Sequence, residues 1–218
     1  MRFSKSLFWS ISAVALIGVC AVGVNPDWRA NVKSMVASRT CDNVPCIHLA
    51  IRRMVIDSVI AQRGPIPSYL MVGDSITEMA DLQPICGRLP INAGISAATT
   101  KTFATEAARF AALSKPDFVI VALGANDALT GRLEGFRERY EALLRSLQPN
   151  RIIVVPVPPS PKIPNIRMIN SDIAALPVPK AGKLESVETL DDGIHLAAPS
   201  YIEWKHHIAD AAQAFVCG

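Results

Sequence analysis

From Cys46 to Arg63, apolar residues recur at Ile47, Ala50, Ile51, Met54, Val55 and Ser58-Val59, three and four positions apart. That spacing predicts an amphipathic helix with this face inward and Arg52 and Arg53 outward. Gly64-Pro65 stops it. Beyond it, short apolar runs alternate with longer helical patterns. Strands are expected at Tyr69 to Val72, at a short run closing on Ile91, at Asp117 to Leu123 and at Arg151 to Val155. Helices are expected over Thr102 to Leu113 and over Leu133 to Leu147, the second ended by Pro149. Pro156 to Pro164 is too rich in proline for a central strand and reads as a loop. Ile166 to Leu176 fits a further helix, Leu184 to Val187 a weak fifth strand, and Pro199 to Phe215 the closing helix. Strands alternating with helices predict an α/β fold, a parallel sheet covered on both faces.

The first 24 residues follow a different grammar. Arg2 and Lys5 precede an uncharged apolar run from Leu7 to Val24, the order of a secretion leader. The run is nearly long enough to span a bilayer, so residues 1–24 read as a signal peptide or an N-terminal membrane anchor. Residues 25–44 read as a linker, and 45–218 as the folded domain. The expected location is periplasmic or secreted, with membrane association through residues 7–24 if the leader is kept. Half of the chain's residues are hydrophobic, a share raised by this leader.

Charge narrows the partners. The net charge of +3 falls to +1 without Arg2 and Lys5, so the body carries no polyanion signature and no nucleic acid is expected as partner. Four cysteines lie outside the leader: Cys41, Cys46, Cys86 and Cys217. In an exported chain they suggest disulfides, and Cys41 with Cys46 and Cys86 with Cys217 is the favoured pairing of three. Neither the cysteines nor the scattered histidines have the spacing of a zinc site.

Chemistry collects where parallel strands end and loops begin. The loops after the first three strands carry Gly73-Asp74-Ser75, Asn92-Ala93-Gly94 and Gly124-Ala125-Asn126-Asp127, and Asp192-Gly193-Ile194-His195 precedes the last helix. A serine hydroxyl is a weak nucleophile until a base takes its proton, so Ser75 calls for His195. Asp192 stands three residues before His195 and can fix its tautomer and stabilise the imidazolium. The Ser75 amide, the Gly94 amide and the Asn126 side-chain amide are candidate donors to an oxyanion.

These four blocks, GDSIT at 73–77, INAGIS at 91–96, LGAND at 123–127 and DGIHL at 192–196, resemble those of the SGNH, or GDSL, hydrolases. The resemblance runs from about Pro67 to the closing helix. It implies a flavodoxin-like three-layer α/β/α sandwich with about five strands. It also implies Ser75 as nucleophile, His195 as base, Asp192 as the third triad member, and Gly94 and Asn126 as oxyanion donors. No metal or organic cofactor is implied. Ala97 departs from the pattern, standing where a glycine often does, and Pro156 to Pro179 matches loosely.

Plainer readings exist for each residue. Ser75 alone could cap a helix, Asp74 and Asp127 read as loop anchors, and Asp191 competes with Asp192. His48, His206 and His207 read as surface or packing residues, and Tyr201 and Trp204 as packing of the last helix. The function expected is an exported serine ester hydrolase acting on a small-molecule or glycan ester, with a short acyl group such as O-acetyl on carbohydrate. An O-acyltransferase of exported glycans would use the same residues, and a non-catalytic envelope module is the third reading.

Overall fold

The computed structural model describes residues 46–147 and 151–217. The leader at 1–24, the linker at 25–44 and Cys41 of the first expected disulfide lie outside those residues. In chain order the elements are α1 (Cys46–Arg63), β1 (Ser68–Gly73), α2 (Ser75–Glu78), β2 (Leu89–Gly94), α3 (Thr100–Ser114) and β3 (Phe118–Ala122). After these come α4 (Ala125–Leu129), α5 (Phe136–Ser146), β4 (Arg151–Val154), α6 (Ile166–Ala174) and α7 (Ala198–Phe215).

Four parallel strands form one sheet in the order β2-β1-β3-β4. Parallel strands buried on both faces read as unbroken apolar runs, and β1 and β3 do. Tyr69, Met71, Phe118, Ile120 and Ile153 pack on one face with Trp204, Ile208, Ala211 and Ala212 of α7. The intervening Leu70, Val72, Val119 and Val121 are equally buried and face the other layer. There Tyr140 of α5 reaches across to the Val121 carbonyl. The layers are helix, sheet and helix, as expected.

The expected fifth strand is corrected. Leu184 to Val187 forms no strand; instead Lys180 makes an isolated parallel bridge to Val154. The amide of Val154 donates to the Pro179 carbonyl, and that of Ala181 to the Val154 carbonyl. Prolines at 177 and 179 limit how far this edge can pair, since each lacks an N–H.

Helix α1 has the expected bounds and the opposite face. Ile47 is 77% exposed and Met54 66%, with Ile51 and Val55 also in solvent, whereas Ile56 is buried. Arg52 and Arg53 point inward, Arg52 to Glu78 and Arg53 to Glu106. The surface under α1 is made of carboxylates and strand-end carbonyls, which guanidinium groups satisfy and aliphatic side chains do not. No helix among the described residues is long and apolar enough to cross a membrane.

Candidate active site

Three chain segments converge at the C-terminal ends of β1, β2 and β3. Asp74 caps α2, its carboxylate accepting the Ile76 amide at 3.0 Å, so that Ser75 opens the helix just past the strand end. The His195 Nε2 atom lies 2.9 Å from Ser75 Oγ. On the other side of the ring, Nδ1 lies 2.5 Å from Asp192 Oδ2. Local chain geometry arranges this last contact. Gly193 takes φ +70, and the amides of Ile194 and His195 both donate to Asp192 Oδ1, at 2.8 and 3.0 Å. The imidazole contact and these two amides hold the Asp192 carboxyl down at about 2. Asp191 makes no such contact with His195 among the described residues.

Burial does the opposite to Asp74. Beneath the nucleophile and 2% exposed, its carboxyl is pushed up to about 7, against the pull of the Ile76 amide and His195. Asp127 is fully buried and accepts the Thr100 amide at 3.0 Å and the Thr100 hydroxyl at 2.7 Å. It anchors α4 to the start of α3. Asn126, one residue before, donates from Nδ2 to the Ala98 carbonyl at 3.1 Å. Both acids hold loops, and neither hydrogen-bonds Ser75 Oγ or the imidazole among the described residues.

Gly94 is placed differently from the expectation. Its amide donates to Asn92 Oδ1 at 2.9 Å. The glycine is needed for another reason: a Cβ there would sit 2.2 Å from the Glu78 backbone nitrogen. It lets β2 run against α2. Along the following loop the amides of Ile95, Ser96 and Ala98 are also used, by the Gly73 carbonyl, Glu78 Oε2 and the Ile95 carbonyl. Ala97 alone keeps its amide free of a hydrogen bond among the described residues of this loop. It holds φ +61 at the third position of an Ile95–Ala98 turn, where type II turns favour glycine. The residue noted as a departure from the family pattern is therefore the loop's available donor. The sequence signal for it was the glycine often found there, and the side-chain bond that removes Gly94 was invisible in one dimension.

The remaining histidines lie away from the nucleophile. His206 pairs with Asp210 and His207 with Glu203 along α7, while His48 contacts Glu78. Tyr201 donates from its hydroxyl to the Ile76 carbonyl at 2.8 Å, so α7 braces the helix that opens on Ser75. Ser160 donates to the Gly193 carbonyl at 2.7 Å and ties the proline-rich loop to the His195 segment. Among the described residues no cluster of three or more His, Cys, Asp or Glu side chains is placed to hold a metal.

A family model described as GDSL-like lipase/acylhydrolase matches residues 71–178, from β1 through α6, and stops short of Asp192 and His195. No curated protein matches the chain significantly. Among solved structures, the lipase/acylhydrolase from Enterococcus faecalis is similar at TM-score 0.57 and 21% identity over 67% of this chain and 96% of that one. An acylhydrolase structure from Bacteroides fragilis gives TM-score 0.61 and 16% identity over 73% and 95%. A carbohydrate esterase family 3 structure from Talaromyces cellulolyticus gives 0.56 and 20% over 69% and 98%. At these identities the likeness establishes the shared fold. Fold and family model agree: residues 71–178 belong to a GDSL-like lipase/acylhydrolase domain, and the protein is an ester-hydrolysing enzyme of the SGNH type.

Proposed function

We propose that this enzyme cleaves carboxylic esters of short acyl groups, O-acetyl groups on carbohydrate foremost, through an acyl-enzyme on Ser75. The observation that carries the proposal is the continuous contact Ser75 Oγ to His195 Nε2, 2.9 Å, and His195 Nδ1 to Asp192 Oδ2, 2.5 Å. In the first half-reaction His195 accepts the hydroxyl proton as Ser75 Oγ bonds to the acyl carbon. Asp192 stabilises the imidazolium so formed. The tetrahedral oxyanion is met by the Ser75 amide, the Ala97 amide and an Asn126 Nδ2 hydrogen, with Ala97 in the role expected of Gly94. Collapse breaks the ester C–O bond, and His195 returns the proton to the departing alcohol. Water, deprotonated by the same imidazole, then releases the acid and restores the serine.

The carbohydrate assignment draws support from the Talaromyces cellulolyticus structure, a carbohydrate esterase by its description. We read the enzyme as exported, on the strength of Arg2, Lys5 and the apolar run from Leu7 to Val24. The test is a panel of aryl esters of increasing acyl length beside acetylated glycans, with Ser75→Ala as control. The expected outcome is preference for acetyl and loss of turnover by on the order of a thousandfold or more in the variant. Full activity in Ser75→Ala, or fluorophosphonate labelling of a different residue, rules the mechanism out. Adding a free glycan acceptor separates hydrolysis from acyl transfer by the product formed.

A further inference from the structure

We propose that α1, which precedes the family-matched segment, supplies a charged clamp that positions the Ala97 amide for the oxyanion. Arg52 and Glu78 form its centre, with His48 and Ser96 completing it. Ser96 donates to Glu78 Oε2 from its amide at 2.6 Å and from its hydroxyl at 2.7 Å. His48 Nε2 meets the same oxygen at 3.1 Å. The other oxygen, Oε1, pairs with Arg52 Nε at 3.2 Å. The Arg52 guanidinium continues to the Gly94 carbonyl, at 2.8 Å from Nη2 and 3.1 Å from Nε, and to the Asn92 carbonyl at 3.3 Å.

These contacts hold the loop immediately before the one amide left free among its described residues. Gly94 is held by its carbonyl, Ser96 by its amide and hydroxyl, and Ala97 follows at φ +61. A left-handed alanine is strained and persists only where its surroundings over-determine it. Glu78 is mostly enclosed, and its hydrogen bonds from Ser96 and His48 hold its carboxyl below the ordinary value although burial opposes them. Charge-assisted hydrogen bonds to a carboxylate are the stronger kind. Glu78 and Arg52 are positioning residues: neither side chain hydrogen-bonds Ser75 or His195 among the described residues.

The clamp rests on the oxyanion assignment above, and its test is chosen to separate the two. Glu78→Ala, Glu78→Gln, Arg52→Ala, Arg52→Lys and Ser96→Ala are compared with the full-length protein. Three readouts are taken: kcat and KM on an aryl acetate, inhibition by an alkyl boronic acid, and the rate at which a fluorophosphonate labels Ser75. Losing or misplacing an oxyanion donor costs on the order of a hundredfold. Glu78→Ala and Arg52→Ala are therefore expected to lower kcat about ten- to a hundredfold with KM within about twofold, and to weaken boronate inhibition and slow labelling by the same factor. Glu78→Gln and Arg52→Lys recover part of the loss, and Ser96→Ala, which keeps the amide contact, loses least. Folded variants with wild-type labelling rates and boronate affinity overturn the clamp while leaving esterase activity in place. A wild-type protein that neither hydrolyses esters nor takes the label overturns the esterase reading, and the clamp with it. If Glu78→Ala or Arg52→Ala fails to fold, Glu78→Gln and Ser96→Ala carry the same comparison.

Discussion

Asp74 is the buried acid nearest the chemistry, and its protonation has a definite sign. In the unfolded chain its carboxyl titrates near 3.8, whereas burial raises it to about 7 in the fold. Between those values the folded state holds a proton that the unfolded state has released, so stability falls as pH rises from about 4 to 7 and levels off above. Asp192 acts in the opposite sense and below that window. Held at about 2, it adds stability that disappears as pH falls from the ordinary carboxylate range. Asp74→Asn keeps an acceptor for the Ile76 amide and removes the titration. Urea midpoints at pH 4.5 and 7.5 are expected to differ less in the variant than in the wild type; equal differences would show that Asp74 ionises normally. The anchoring role of Asp74 was legible in the sequence, although the helix cap, read there as an alternative for Ser75, lies one residue earlier at Asp74 itself. Its burial was not, because α7 and the strand ends that enclose it come from distant parts of the chain.

Turns and helices show where local pattern stops being informative. The bounds of α1 follow from its apolar period and Gly64-Pro65, yet the period marked the exposed face. A single-helix pattern assumes that the covering surface is apolar, and here that surface presents Glu78, Glu106 and the Gly94 carbonyl. The short α4, with Asn126 in its first turn, was too brief to give a period. In the Ile95–Ala98 turn, Ala97→Gly relieves a left-handed alanine and retains the amide. Its gain is offset in part by the unfolded-state freedom of glycine, so the melting temperature should rise by the equivalent of up to about 1 kcal/mol with kcat kept. A tenfold drop in kcat without loss of stability would mean that the Ala97 methyl itself shapes the site.

At the scale of the whole molecule, Cys86 and Cys217 are joined across 131 positions, tying the end of α7 to the loop before β2. Arg151 strengthens the same corner by donating to the Val216 carbonyl at 3.0 Å. Closing so long a loop restricts the unfolded chain strongly, and Cys86→Ser or reduction is expected to lower stability by about 3–5 kcal/mol. Denaturation midpoints with and without reductant measure this. A wild-type midpoint insensitive to reductant, or matching that of Cys86→Ser under oxidising conditions, would exclude a stabilising bond. The pairing was favoured from sequence because it ties the C-terminal end to the body and leaves Cys41 and Cys46 to close a short loop.

The sequence by itself determined the layer order and the places where chemistry collects, because parallel strands buried on both faces must be apolar throughout and their loops must carry the polar groups. It also put Asp192 and His195 within one turn of each other, a local geometry that three residues and Gly193 suffice to build. Tertiary structure alone decided which loop amide is left free of a hydrogen bond, which side of α1 is inside, and where the fifth edge segment pairs. Glu78 drawing in Arg52 and Val154 meeting Lys180 join segments far apart in the chain, and even the two-residue bond from the Gly94 amide to Asn92 Oδ1 relies on the distant Thr77 and Ala80 carbonyls that hold Asn92 Nδ2. Hydrophobic period records how much of an element is buried, whereas the identity of its neighbour is set only when the strands assemble.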